Sequence, residues 1–301
     1  MARKLIAGVD IGGTKTSIML AHGEPIAELT LATDDWRVRT SDADARALAK
    51  VLDGLCADHG LSGRELAATV VGAHGCDTGE QCRIFQADLA GELPGIVQVF
   101  NDSELMGPAA GYFGGIGVVA GTGSIAVART QAGEMLVAGG WGWILGDEGS
   151  APALVRDAAR AIRGAIDAGG GADPLTDALM QELGTDDPTM LGRLLNDTRS
   201  AVIWGRYANA VFAAADAGSV LAQNVITQGG AALAALVGVL IERGADAGSV
   251  VAGGGVIVEQ PRLMKAFVAA MKVISPSSEV VLLRAPPVTG ALALAERATQ
   301  T

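Results

Sequence analysis

Asp10-Ile11-Gly12-Gly13-Thr14-Lys15-Thr16 gathers a carboxylate, two glycines, two hydroxyls and an ammonium behind the apolar run Leu5–Val9. That mixture suits a polyphosphate. Gly12 and Gly13 remove side chains, so backbone N–H groups can reach phosphate oxygens. Thr14, like Thr122 further on, adds a hydroxyl donor, and Lys15 adds charge. Asp10 can orient a hydrated Mg²⁺, which takes few carboxylates and keeps most of its waters. A second loop of the same kind, Gly121-Thr122-Gly123-Ser124, follows the apolar run Ile116–Ala120. Taken singly, either stretch is equally a plain hairpin turn.

Two better-known phosphate motifs nearly fit and fail. Gly8 and Gly13 have the spacing of a P-loop, but Thr14 stands where its lysine belongs. Gly121–Ala126 reads GTGSIA, a GxGxxA match, yet a strand follows it where that motif requires a helix.

Four further stretches carry chemistry. In VFNDSELMG, Asp102 lies where a strand ends and a helix begins, and Asn101 with Glu104 can form a capping box. The helix start predicts an ionised Asp102. Gly253-Gly254-Gly255 follows a strand in VVAGGGVI. Gly290 falls inside a helix in PPVTGALALA, where glycine costs about 1 kcal/mol against alanine, so close helix packing is expected. In GGWGWILGDEGS, Trp141 beside Gly142 can lie against the C–H face of a sugar, while Asp147 and Glu148 can accept from vicinal hydroxyls. The same stretch also reads as a helix start, with Ser150 as cap and Pro152 in the first turn.

The elements that must position these residues repeat. Strand, glycine loop, strand, turn, strand is expected over Leu5–Leu31, with strands at Leu5–Val9, Ser17–Leu20 and Ile26–Leu31. It is expected again over Ile116–Ala138, with strands at Ile116–Ala120, Ile125–Arg129 and Met135–Ala138. Helical periodicity marks Ala43–His59, Ser103–Tyr112, Ala151–Ala168, Pro188–Ala217, Leu221–Arg243, Gln260–Lys272 and Val288–Ala298. Further strands are expected at Ala68–Gly72, Ile96–Phe100, Val250–Ala252 and Val280–Leu283. The expectation is an α/β protein of two domains sharing one fold, with a cleft between them.

Composition narrows the partners. The chain has 301 residues, 42 of them glycine, and a net charge of −11. Such acidity disfavours nucleic acid and anionic membranes. No apolar run reads as long enough to cross a bilayer, and Asp10 interrupts the signal-like start MARKLIAGVD. Cys56, Cys76 and Cys82 are odd in number and form no CxxC pair, which predicts a reducing cytoplasm.

In their order and spacing, Asp10–Thr16, Asn101–Gly107, Gly121–Ser124, Gly253–Gly255 and Pro286–Ala295 resemble the actin, heat-shock-protein and sugar-kinase superfamily. The resemblance covers nearly the whole chain. It implies two ribonuclease-H-like, actin-like ATPase domains around ATP and Mg²⁺: residues 1–113 joined by a helix at about 288–301, and 114–287 with a helical insertion. Gly139–Ser150 is similar to the signature of N-acetylglucosamine kinases and BadF-type ATPases. The implied ATP site takes Gly12, Gly13, Thr14, Lys15, Thr16, Gly121, Thr122, Gly123, Gly253, Gly254 and Gly255, with Asp10 on the metal. Asp102 is implied as the base toward the 6-hydroxyl of an amino sugar. The implied sugar site adds Asp34, Trp36, His74, Asn101, Trp141, Gly142 and Asp147. Three positions depart from such kinases: Asp34 replaces an asparagine, His74 a serine and Cys76 a glycine. N-acetyl-D-glucosamine is the first expected substrate and glucosamine the second. An alternative from the same resemblance is an ATPase activator of a dehydratase or reductase, holding an iron–sulfur cluster through Cys76 and Cys82. A transcription regulator, whose basic helix-turn-helix would precede the first strand, is not expected. The oligomeric state stays open, with a homodimer among the options.

Overall fold

The computed structural model describes residues 4–300. The chain forms two compact units: Met1–Gly117 with Val127–Leu136 and Leu283–Thr301, and Val118–Ala126 with Val137–Leu282. This division gives part of the second hairpin to the first unit, where the expected boundary lay near residue 113.

The first sheet opens with β1 (Leu5–Ile11), β2 (Lys15–His22) and β3 (Glu24–Ala32), an antiparallel meander. After α1 (Ser41–Asp58), β4 (Leu66–Ala73) pairs parallel to β1; after α2 (Gly79–Glu92), β5 (Ile96–Phe100) pairs parallel to β4. The order is β3-β2-β1-β4-β5. A 3₁₀ turn, Asp102–Leu105, leads into α3 (Met106–Ala109). The second sheet is built from β6 (Ile116–Ala120), β7 (Ser124–Arg129) and β8 (Met135–Gly139).

Helices α4 (Ala151–Asp167), α5 (Pro174–Leu183), α6 (Leu191–Asp197), α7 (Ala201–Arg206), α8 (Ala208–Asp216) and α9 (Val220–Glu242) follow. Then come β9 (Ser249–Gly253), α10 (Gly255–Glu259), α11 (Pro261–Ile274) and β10 (Glu279–Leu282), and α12 (Val288–Ala298) ends the fold. The second sheet runs β10-β9-β6-β7-β8, the same meander-plus-two order as the first. The architecture is duplicated α/β, as the repeated strand–loop–strand pattern predicted.

Three expectations need correction. The helix expected over 188–217 is broken into a 3₁₀ turn and α6, α7 and α8. Trp204 Nε1 donates to the carbonyls of Leu195 and Thr198, and Ser200 Oγ accepts from Ile203 N to start α7, so polar groups reverse the chain inside an apolar pattern. The helix expected over Ser103–Tyr112 is only the 3₁₀ turn and the single turn α3, closed by Tyr112 N donating to Gly107 O at 2.8 Å. Finally, α9 has a window of mean hydropathy 1.7 and the length to cross a bilayer. About 44% of that window is buried, and a Cβ on Gly230 would meet Phe267 N at 2.6 Å. Its apolar composition therefore serves close packing on α11.

The helical glycine has the expected cause. A Cβ on Gly290 would lie 2.0 Å from Leu105 O and 2.7 Å from Ala109 N, and one on Gly8 would lie 2.5 Å from Leu292 N. Helix α12 thus rests directly on β1 and on the segment that follows Asp102. Gly290→Ala should destabilise by about 1–3 kcal/mol through overpacking, against a propensity gain of at most ~1 kcal/mol. Gly164→Ala, where a Cβ meets nothing within 4 Å, should stabilise by ~0.5–1 kcal/mol. Urea unfolding of both variants checks the contrast.

Candidate active site

In the first unit, strand register brings the candidates to one sheet end. Ile11 pairs with Ala73 and Gly72 with Phe100, so β1, β4 and β5 all deliver their C-terminal ends there. Beyond those ends lie Gly12–Lys15, His74 and Asn101–Asp102.

The first glycine loop is a tight reversal in which Gly12 N donates to Lys15 O at 2.9 Å. The Gly12 N–H is therefore spent within the loop. Gly13, Thr14 and Lys15 are exposed, and among the described residues the N–H groups of Gly13 and Thr14 donate to no backbone carbonyl. Thr16 is buried, and its hydroxyl is committed inward. A chain runs from Trp36 Nε1 to Thr16 Oγ1 (3.0 Å), on to Thr33 Oγ1 (3.0 Å), and from there to Gly12 O (2.9 Å). Thr33, which sequence reading passed over, thus ties the Asp34–Trp36 segment to the loop. Trp36 is half-buried against the core and offers only part of its ring.

Asn101 and Glu104 form the capping box. Asn101 is buried, and its amide donates to Cys76 O and Asp77 Oδ1, both at 3.2 Å. Asp102 Oδ1 accepts from Ser103 N at 3.0 Å, and Oδ2 lies 3.7 Å from His74 Nδ1. Burial raises the Asp102 carboxyl above the usual range, against the lowering pull of His74 and the Ser103 N–H. The helix start alone would stabilise the carboxylate; burial acts against it and makes Asp102 a stronger base than an exposed aspartate. Asp10 is pushed up to about 7, first by burial, then by the Asp102 charge, with Lys15 pulling the other way. Asp34 is exposed and pairs with Arg39 at 2.7 Å.

In the second unit, the second glycine loop and the tryptophan-rich loop are stitched together. Gly121 N donates to Gly123 O, Ala151 N to Gly121 O and Gly140 N to Ser124 O, each at 2.9 Å. Ser124 Oγ donates to Glu148 O at 2.9 Å. Asp147 is buried beneath this loop, and a Cβ on Gly123 would meet its Oδ2 at 3.1 Å. Among the described residues its Oδ1 has no hydrogen-bond partner, its φ is 54°, and burial raises its carboxyl despite nearby N–H groups of Ser124 and Gly142. Gly254 has φ 97°, and a Cβ there would lie 2.6 Å from Ala120 O. Gly254 and Gly255 therefore sit against the strand end that bears Gly121–Gly123, while Gly253 closes β9. Trp141 is 76% exposed beside Gly142.

The donor set fits a magnesium nucleotide. Asp10, raised by burial and then by the Asp102 charge, would be relieved by a divalent cation, and the first glycine loop, with the N–H groups of Gly13 and Thr14 donated to no backbone carbonyl among the described residues, can take phosphate oxygens. Asp10 is the residue that would hold the metal.

The duplicated five-stranded sheets define the actin-like ATPase class, the fold of the sugar kinases among the structural neighbours. The chain belongs to the BadF/BadG/BcrA/BcrD ATPase family, whose model matches residues 7–295. A curated N-acetylmuramic acid/N-acetylglucosamine kinase of Clostridium acetobutylicum is 32% identical over 153 residues. The matched stretch spans about half of each chain, 49% of both. A Chromobacterium violaceum structure bearing the provisional name N-acetylglucosamine kinase superposes with TM-score 0.70 at 25% identity, covering 97% of this chain and 99% of that one. A ROK-family glucokinase from Streptomyces griseus, solved with glucose and AMPPNP, gives TM-score 0.60 at 17% identity, covering 99% and 100%.

The raised Asp10 carboxyl has a pH consequence. The folded state keeps a proton that the unfolded chain releases, so this group removes stability as pH rises from about 4 to about 7. Without divalent cations, unfolding free energy should fall between pH 5 and pH 7.5, and Asp10→Asn should flatten that fall. Urea titrations across the window check it.

Proposed function

We propose that the chain is an ATP-dependent kinase that phosphorylates the 6-hydroxyl of an amino sugar, N-acetyl-D-glucosamine first among them. The observation that carries this reading is Asp102. It is a largely buried carboxylate with a raised pKa, set at the strand end beside Asp10, Lys15 and the first glycine loop. In it, Asp102 accepts the hydroxyl proton, and the exposed N–H groups of Gly13 and Thr14 take phosphate oxygens with Lys15. Mg²⁺, oriented by Asp10, supplies charge neutralisation on the transferred group. Gly121, Thr122, Gly123 and Gly253–Gly255 hold the nucleotide. Phosphoryl transfer depends mainly on positioning and charge stabilisation, which such a set provides. The names carried by the Clostridium and Chromobacterium relatives support an N-acetylated amino sugar.

Two observations weigh between the alternatives. A free amine, as in glucosamine, would need an available carboxylate at Asp34, but Arg39 already pairs with it at 2.7 Å. An iron–sulfur cluster shared between subunits needs thiolates at the surface, and Cys76 and Cys82 are both buried. Trp141 is exposed and flanked by glycine, which supports a stacking role against the sugar ring.

Asp102→Asn should lower kcat by about 10²–10⁴ while the sugar Kd changes little. Steady-state kinetics with calorimetry checks it; near-normal turnover would reduce Asp102 to a helix-start residue. In kcat/KM across N-acetylglucosamine, glucosamine and glucose, the acetylated sugar should lead. Asp34→Asn should shift the ranking by less than about tenfold, because an exposed ion pair is worth only ~0–1 kcal/mol.

A further inference from the structure

The two segments that depart from the kinase pattern, residues 31–37 and 72–78, are joined by one arginine. Arg37 Nε donates to Asp44 Oδ2 at 2.8 Å, and Arg37 Nη1 donates to the carbonyl of His74 at 2.9 Å. Both partners of the ion pair are largely buried, with side chains 13% and 4% exposed. Asp44 Oδ1 also accepts from Val38 N at 2.7 Å and Arg39 N at 2.8 Å, and so holds Arg39 at its φ of 71°. The acid at the start of α1 therefore folds the 37–39 turn around itself and aims the guanidinium at His74.

His74 is fixed on its main chain from two sides: its N–H donates to Ile11 O at 2.7 Å, and its carbonyl accepts from Arg37. Its ring projects over the site. Nδ1 lies 3.7 Å from Asp102 Oδ2, and a Cβ built on Gly13 would lie 3.5 Å from Cδ2 and 3.6 Å from Nε2. The imidazole thus stands between the first glycine loop and Asp102. Gly75, at φ 86°, lets the chain turn beside the guanidinium.

A buried ion pair is a poor device for stability, because the desolvation of two charges offsets most of their attraction. It is a good device for holding a geometry when both arms of a rigid fork are used. We propose that Arg37, anchored by Asp44, is a positioning residue for phosphoryl transfer, holding the His74 imidazole between the first glycine loop and Asp102. This rests on the kinase reading above.

Arg37→Lys is the informative variant. A lysine keeps a positive charge for Asp44, but its single ammonium cannot also replicate the donor to His74 O. Two readouts separate the claims. In kinetics with MgATP and N-acetylglucosamine, kcat should fall roughly tenfold to a hundredfold, because a misplacement near 1 Å is enough, with KM for ATP within about twofold. The second readout needs no turnover. The chain has three histidines, and His74→Gln assigns the His74 ring resonances. Asp102→Asn should shift those resonances in the otherwise native protein, and by less than about half as much in the Arg37→Lys background. Equal shifts in both backgrounds would overturn the proposal, as would an unchanged kcat. If the native protein phosphorylates no sugar, the kinase reading fails, and the resonance cycle alone decides whether Arg37 places His74. Should Arg37→Lys not fold, the neutral pair Arg37→Gln with Asp44→Asn takes its place under the same criteria.

Discussion

The parallel pairing of β1 with β4 and of β4 with β5 is the constraint on which the first unit's chemistry depends. Parallel strands end on the same side, so whatever follows each of them is gathered without any loop having to reach. Ile11 opposite Ala73 and Gly72 opposite Phe100 place the first glycine loop, His74 and Asp102 together. A slip of one residue would turn every side chain to the other face and separate Asp10 from Asp102. The register is held by the apolar faces of these strands. Val9, Ile11, Val71 and Val99 are buried in one cluster, Ile6 and Val70 in another under α12.

Electrostatics follow from that gathering. Burial raises both Asp10 and Asp102, the Asp102 charge adds to the rise at Asp10, and neither has a salt-bridge partner strong enough to hold it at an ordinary value. Lys15 and His74 only moderate the effect. Glu104 is raised by burial too, but there Arg129 lies on it at 2.5 and 3.0 Å, which closes the capping box into a structural brace.

Close approach is the other recurring device. Gly8, Gly290, Gly230 and Gly254 each occupy a place where a Cβ would run into backbone at 2.0–2.6 Å. Removing a methyl lets two backbones touch, which trades conformational entropy of the unfolded chain for packing. Other glycines, such as Gly60, Gly133 and Gly244, serve turns at positive φ.

The sequence by itself determined the duplicated strand–loop–strand pattern, the α/β class and the candidate loops, because period-two apolar runs and glycine clusters are local signals. It also marked Gly290, since a glycine inside a helix advertises its own cost. The break in the helix expected over 188–217 was not legible, because the indole of Trp204 acts through hydrogen bonds to Leu195 and Thr198. Nor was the inward commitment of Thr16, which needs Thr33 and Trp36 brought beside it by the β2–β3 pairing. The helix start was legible at Asp102, but the burial that raises its carboxyl was not. The link from Asp44 through Arg37 to His74 likewise belongs to tertiary structure alone. Its partners are thirty-seven residues apart, and only the fold that brings the first turn of α1 and the end of β4 to one guanidinium makes a surface-looking arginine into a buried fork.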